Sequence, residues 1–325
     1  MKSTTSPIFI FSLPRSGSTL LQRILMGHPK IASVSEPWLL LPFLYANKKH
    51  GTLAEYSHSL ACRGIGDFVN NLHRQEKDYY KELNSFIGNL YKMQCRNEEN
   101  YFLDKTPRYY FIIPEIVKLF PNAKFIFLFR NPIHVLSSIM ETWSNGNFGS
   151  LHHFDCDLNK GPGMLSEGYK LLKNKSYALQ YEEFVSAPEK HLIKICKYLE
   201  IDYDNQMLNN FNFQETKGSM GDPTGLRKFN IISTKSLTNW KKSFTTRFRI
   251  KHVKKYINSI SEEHLILQGY KKNELINSLN QLPSSINIPI KDFFDIIKWR
   301  YTIKFNLNII AGRRTSKWVK EKMLS

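Results

Sequence analysis

The chain has little of what marks an exported, disulfide-stapled or membrane-spanning protein. Its four cysteines, Cys62, Cys95, Cys156 and Cys196, stand far apart with no C-x-x-C among them. That spacing favours neither a zinc site nor a disulfide framework and fits a reducing compartment, the cytoplasm. The longest uncharged apolar stretch, Pro37 to Ala46 (PWLLLPFLYA), is about half of the roughly 20 residues a membrane helix needs, and a second proline interrupts it. The opening MKSTTSPIFIFSLPRSGS has neither the apolar core nor the small-residue cleavage site of a signal peptide. No repeat or low-complexity tract is present, so collagen-like and coiled-coil classes drop out. With 42% hydrophobic and 13% aromatic residues, the chain can bury a sizeable core.

Acidic residues are missing from one region in particular. The whole chain carries 46 Lys+Arg against 28 Asp+Glu, a formal charge of +18. Residues 223–261 hold ten Lys/Arg and no Asp or Glu, and residues 283–325 hold nine against three. The first 222 residues, with 25 basic and 22 acidic side chains, are close to balanced. A basic C-terminal third suits nucleic acid, an anionic membrane face or a polyanionic ligand, and charge alone does not choose among them.

Short apolar strands alternate with helical patterns of ten to fifteen residues. Strands are predicted at 7–13, 31–35, 101–103, 124–129 and 177–181, and helices at 19–26, 108–120, 132–143 and 187–201. A helical region of uncertain boundaries, roughly 38–98, covers the sheet. The alternation predicts an α/β protein with a doubly wound parallel sheet and flanking helices, whose ligand sits at the carboxyl ends of the strands. Two Gly- and Asn-containing stretches, 144–164 and 214–236, read as long loops bordering the site. Residues 1–280 form the expected domain. Residues 281–290 read as a linker into a basic, aromatic-rich tail running to residue 325. Three readings of the tail stay open: association with a membrane surface, a lid over the site, or a helix packed on its own domain.

The string L-P-R-S-G-S-T-L-L, residues 13–21, is the most informative in the chain. Placed between a strand and a helix N-terminus, it offers free backbone N–H groups and a partial positive charge, which hold phosphate or sulfate. Gly17 lets the backbone approach an anion, Ser16, Ser18 and Thr19 add hydroxyls, and Arg15 adds a fork of donors. A tight turn with a serine cap accounts for Ser and Gly but not for Arg15 and three hydroxyls. A nucleoside triphosphatase loop would read G-x-x-x-x-G-K-[ST]; here Ser12 stands for the first Gly and Ser18 for the Lys. The neighbouring strand KFIFLF ends in Arg130 where such an enzyme places a magnesium-binding Asp. A nucleotide used without metal is therefore expected. After that strand, R-N-P-I-H-V-L-S-S places Ser138 eight residues beyond Arg130, two turns along a helix and able to share a second phosphate with it.

Taken together, PIFIFSLPRSGSTLL and FIFLFRNPIHVLSSI resemble the two cofactor-binding elements of sulfotransferases that use 3′-phosphoadenosine 5′-phosphosulfate (PAPS), in the same order and strand context. The resemblance covers about residues 7–250 and is nearer to the tyrosylprotein and bacterial glycan types than to the cytosolic phenol and steroid types, which carry Lys where Arg15 stands. It implies the P-loop NTPase-like sulfotransferase fold and a metal-free, in-line transfer from PAPS to a hydroxyl acceptor, leaving adenosine 3′,5′-bisphosphate. The first loop, Arg15 to Thr19, would hold the 5′-phosphosulfate, Arg130 and Ser138 the 3′-phosphate, and Tyr181 the adenine. Glu36, eight residues after His28 of His28-Pro29, would be the catalytic base, and Lys105 of F-L-D-K-T-P would lie near the transferring group. His28, His152 and His153 are rival bases. Arg227, Lys228 and Lys235 would close over the phosphates or meet an acidic acceptor. The acceptor itself, a glycan, a lipid-linked glycan, a tyrosine or a small alcohol, is left open. A P-loop kinase and a non-catalytic nucleic-acid-binding protein are the competing readings.

Overall fold

The computed structural model describes residues 5–52, 54, 56–95, 99–214, 232–286 and 290–304. Five strands, β1 (Ser6–Ser12), β2 (Ile31–Ser33), β3 (Tyr101–Asp104), β4 (Lys124–Phe129) and β5 (Ser176–Gln180), form one sheet in the order β2-β3-β1-β4-β5. Every pairing is parallel. Alternation along the central strands explains why helices cover both faces. Phe9, Phe11, Phe125 and Phe127 point into one apolar cluster, and Ile8, Ile10, Ile126 and Leu128 into the other. The doubly wound parallel sheet expected from the sequence is the fold observed.

The strand order fixes where a ligand can sit. From β1 the chain crosses to the edge strand β2, returns to β3 beside β1, and then passes β1 to reach β4 and β5 on the other side. The carboxyl ends of β1 and β4 therefore flank the switch point, where connections leave a crevice. The helix Ser18–Met26 follows β1, and the helix Pro132–Trp143 follows β4, opened by Pro132 and capped by Asn131, whose side chain accepts from the Ile133 amide.

Several local expectations change in the structure. The region 38–98 resolves into helices Leu40–Tyr45, His58–Asn70 and Glu76–Gln94. The helix expected at 108–120 is broken at Ile112 into a 3-10 segment, Pro107–Phe111, and a helix, Ile113–Leu119, that starts with Pro114 in its first turn. The loop expected at 144–164 is largely helical: a 3-10 turn at Gly149–Phe154 and a π-turn at Cys156–Lys160 lead into the helix Gly161–Leu172. The G-P-G that looks like a breaker serves as a helix start, because proline is tolerated in the first turn and a Cβ at Gly161 would lie 2.6 Å from Leu13. Of the stretch 214–236, residues 215–231 lie outside the described residues.

The C-terminal segment is tied to the domain. Ser285 exchanges backbone hydrogen bonds with Thr245 and Arg247, and Arg249 forks onto the buried Asp292 of the helix Ile290–Lys304 at 2.6 and 3.1 Å. Ile296 of that helix joins the larger apolar cluster.

Candidate active site

The turn after β1 needs two residues with left-handed backbone, Arg15 (φ 64°) and Gly17 (φ 88°). Glycine takes that conformation freely, whereas for arginine it costs on the order of 1 kcal/mol and persists only where surroundings impose it. Here they do: Arg15 Nε donates to Ser138 Oγ at 3.2 Å, and the Arg15 carbonyl accepts from Arg130 Nη1 at 2.7 Å. The helix that follows has no acid in its first turn and no side-chain cap, so its N-terminal dipole faces the crevice uncompensated. Gly17 has a second reason to lack a side chain, since a Cβ there would come 2.3 Å from the Tyr181 ring.

Arg130 lies over that same ring, 4.4 Å from its centroid, and the Tyr181 hydroxyl is 3.0 Å from Ser236 Oγ. A cation held against an aromatic face in a partly dry site is stabilised by about 1–2 kcal/mol. Burial, with a smaller contribution from the neighbouring Arg15 cation, pushes the Arg130 guanidinium below its ordinary value. Among the described residues its buried Nε has no hydrogen-bond partner. Two neighbouring arginines and a buried donor left without a partner among the described residues make a set that an anion satisfies, so these residues fit the phosphates of a bisphosphorylated nucleotide.

On the other side of the loop, Glu36 follows β2. Its Oε1 pairs with Lys105 Nζ at 2.7 Å and its Oε2 accepts from the Trp38 indole at 3.2 Å. Lys105, 1% exposed, also donates to Thr19 Oγ1 at 3.3 Å. The lysine thus lies behind Thr19 and Glu36 and ties the anion loop to the expected base.

These groups surround one cavity of about 1070 Å³. Arg15, Gly17, Ser18, Thr19, Glu36, Arg130, Ser138 and Tyr181 all line it. Ser16 and Lys105 do not: Ser16 is buried, with its amide bonded to the Leu13 carbonyl, and Lys105 is reached only through its partners. Lys235 stands in the wall, while Arg227 and Lys228 lie outside the described residues. Of the histidines, His28 is a structural tie, its Nε2 2.9 Å from the Asp202 carbonyl and its Nδ1 accepting from the Lys30 amide. His153 is exposed and away from the wall, and the side chain of His152 lies outside the described residues.

Sequence reasoning missed another part of the wall. Trp38, Pro107, Arg108, Trp143 and Phe154 face the cavity, the last two with ring centroids 5.1 Å apart. On the helix after β4, His134, Ser137, Ser138 and Glu141 line it together. The i, i+3, i+4, i+7 spacing from His134 was the available signal. His134 stacks on Trp240 and lies 3.1 Å from Glu182; burial pushes its imidazole down, toward the neutral form. Burial would raise Glu182, but His134, Tyr270 and the Asn131 amide hold it below the usual carboxylate range.

Comparison with known proteins agrees with this layout. Residues 7–205 match the model of the Sulfotransferase family. The chain is 30% identical over 152 residues to Nodulation protein NoeE of Sinorhizobium fredii, covering 44% of this chain and 34% of that protein. It is 26% identical over 260 residues to a putative protein-tyrosine sulfotransferase of Caenorhabditis briggsae, covering 72% of this chain and 80% of the other. The chain therefore spans about a third of the first relative and four-fifths of the second. Among solved structures it superposes on the sulfotransferase domain from the curacin biosynthetic pathway with a TM-score of 0.54 at 23% identity, covering 87% of this chain and 99% of that one. A family match over well more than half the chain, on a parallel sheet whose switch point gathers the two anion-binding elements, means that the chain belongs to the sulfotransferase family.

Proposed function

We propose that this chain transfers a sulfuryl group from PAPS to a hydroxyl of a glycan acceptor. The observation that carries the reading is the continuous link from Glu36 through Lys105 to Thr19, which places a carboxylate at hydrogen-bond range of a cation that also holds the anion loop. The donor supplies the sulfuryl group and departs as adenosine 3′,5′-bisphosphate. Ser18, Thr19, Arg15 and the amides of the turn bind its 5′ end, Arg130 and Ser138 its 3′-phosphate, and Tyr181 lies beside its base. Glu36 accepts the proton of the attacking hydroxyl as the new oxygen–sulfur bond forms. Arg15 and the helix N-terminus stabilise charge on the departing phosphate oxygen. Lys105 neutralises the site from behind and keeps Glu36 and Thr19 in register. The donor set offers cations and hydroxyls rather than clustered carboxylates, which supports chemistry without a metal.

The far wall supports this acceptor class. Flat rings of Trp38, Trp143 and Phe154 suit the C–H face of a sugar, and Arg108 and Glu141 suit its hydroxyls. Named relatives include a nodulation protein and protein-tyrosine sulfotransferases, so a tyrosine peptide is the comparison acceptor. The four free thiols support a reducing compartment, the cytoplasm. No described helix is long and apolar enough to cross a membrane. Peripheral association is supported by Ile290, Phe293, Phe294, Ile297 and Tyr301, which are exposed along one face of the last described helix, beside the basic helix Arg247–Ser259.

Calorimetric titration without metal tests the donor site. Adenosine 3′,5′-bisphosphate binds more tightly than ATP, and Arg130→Ala weakens it at least tenfold; preference for ATP, or a need for Mg²⁺, returns the chain to the kinase reading. For the membrane surface, the protein pellets with phosphatidylglycerol vesicles and not with phosphatidylcholine vesicles, and Phe293→Ser/Phe294→Ser stays in the supernatant. Equal pelleting of variant and parent removes that assignment.

A further inference from the structure

Asp104, the last residue of β3, is a fully buried carboxylate. It accepts from three hydroxyls: Tyr91 at 2.6 Å, Tyr109 at 2.9 Å and Thr106 at 3.1 Å. A hydroxyl has a single proton, so one committed to a carboxylate presents only lone pairs to its other neighbours. Two of these oxygens do accept in turn. Thr106 Oγ1 takes the Trp38 amide at 3.2 Å, and Tyr109 OH takes the Leu40 amide at 3.2 Å. Both amides follow Glu36 closely, Trp38 in the turn itself and Leu40 at the start of the helix Leu40–Tyr45 that ends it. Trp38 within the turn has left-handed backbone (φ 55°), a conformation a bulky residue keeps only when held, and its indole donates to Glu36 Oε2.

We propose that Asp104 is a positioning residue for Glu36: by fixing the protons of the Thr106 and Tyr109 hydroxyls, it turns their oxygens toward the Trp38 and Leu40 amides and locks the turn carrying the carboxylate. The proposal rests on reading Glu36 as the base. Tyr91 gives the control, because it donates to the same carboxylate from the helix Glu76–Gln94 and bonds no atom of the turn.

The test compares Thr106→Val, Thr106→Ser, Tyr109→Phe and Tyr91→Phe in the full chain, which avoids relying on Asp104→Asn folding. Thr106→Val and Tyr109→Phe each lower kcat about tenfold, the rate equivalent of one lost hydrogen bond, with the donor KM and the Kd of adenosine 3′,5′-bisphosphate unchanged. Thr106→Ser, which keeps the hydroxyl, restores the rate, and Tyr91→Phe loses stability but not kcat. Hydrogen exchange of the Trp38 and Leu40 amides quickens in the first two variants and not in Tyr91→Phe. A fall in kcat for Tyr91→Phe equal to the others, or no rescue by Thr106→Ser, overturns the proposal. If the parent binds the bisphosphate but transfers to no hydroxyl acceptor, the base reading is what fails. Amide exchange then still decides whether Asp104 locks the turn, and equal exchange in all variants rejects it.

Discussion

The Lys105–Glu36 pair can be tested as a free energy as well as a rate. At 2.7 Å and an effective dielectric constant of about 20, the attraction between the two charges is about 6 kcal/mol. Desolvating a lysine 1% exposed and a glutamate 10% exposed costs several kcal/mol per ion, so the intact pair adds little net stability. Removing one partner is different, because the other keeps its desolvation cost without its counter-charge. Lys105→Met and Glu36→Gln are each expected to destabilise by about 3 kcal/mol, and the double variant by at least 2 kcal/mol less than their sum. Urea unfolding at pH 7 of the parent, the two singles and the double gives this coupling directly. The functional arm separates the partners: Glu36→Gln retains bisphosphate binding and loses rate, while Lys105→Met loses rate and weakens the donor, through Thr19. Additive stability effects would refute the pairing argument. Equal activity of Glu36→Gln and parent would remove Glu36 as the base.

Gly17→Ala must place a methyl group 2.3 Å from the Tyr181 ring at φ 88°, so Tyr181 is displaced and Arg130 loses its support; bisphosphate affinity falls at least tenfold in calorimetry, and unchanged affinity contradicts the geometry. Burial pushes the Asp104 carboxyl up to about 6, only partly opposed by the Tyr91, Tyr109 and Thr106 hydroxyls and the Lys105 charge. Because this acid is raised in the folded state, ionising it costs about 3 kcal/mol above pH 6, and that cost disappears as pH falls through 6 toward 3.8. The stability of the parent relative to Asp104→Asn therefore improves from pH 7 to pH 4 in urea titrations, and a flat difference would contradict it.

The strands and both anion elements were legible because they are local. Ile8 to Phe11 and Phe125 to Leu128 are continuous apolar runs, as a sheet buried on both faces requires, and the turn 13–19 concentrates donors at a strand end. The roles of Glu36 and Lys105 came from resemblance rather than from pattern, since the pair joins residues 69 positions apart. Ser16 belongs to the same string, yet the structure buries it outside the cavity wall, which the string alone does not reveal. Trp143 and Phe154 fell on stretches without a strong signal, one at a helix end and one in a segment that reads as a loop. Asp104 sits in the string F-L-D-K-T-P, yet nothing in that string reveals that Tyr91 and Tyr109 arrive from two other elements to meet it.

Strand order also explains why so few residues suffice. Crossing the sheet in its order β2-β3-β1-β4-β5, the carboxyl ends deliver Glu36, Lys105, the turn Arg15 to Thr19, Arg130 and Tyr181 in succession. Neighbouring strands lie about 4.8 Å apart. On the proposed assignment, a base, its counter-ion, a cradle for one phosphate, a cradle for a second and a platform for a nucleobase are thus laid along a line about 20 Å long. That is the length scale of an acceptor sugar followed by a bisphosphorylated nucleoside. Because each group follows a different strand of one parallel sheet, backbone hydrogen bonding sets their order and approximate spacing, while the contacts that hold the turns after β1 and β2 set their orientation. In the proposed acceptor wall beyond Glu36, Trp143 and Phe154 stand at a helix end and in a 3-10 turn and hold neither Glu36 nor the anion loop. Changes of acceptor can therefore be made there by substitution without moving the donor site: Trp143→Ala should lower kcat/KM for an oligosaccharide more than for a small alcohol while leaving bisphosphate binding intact.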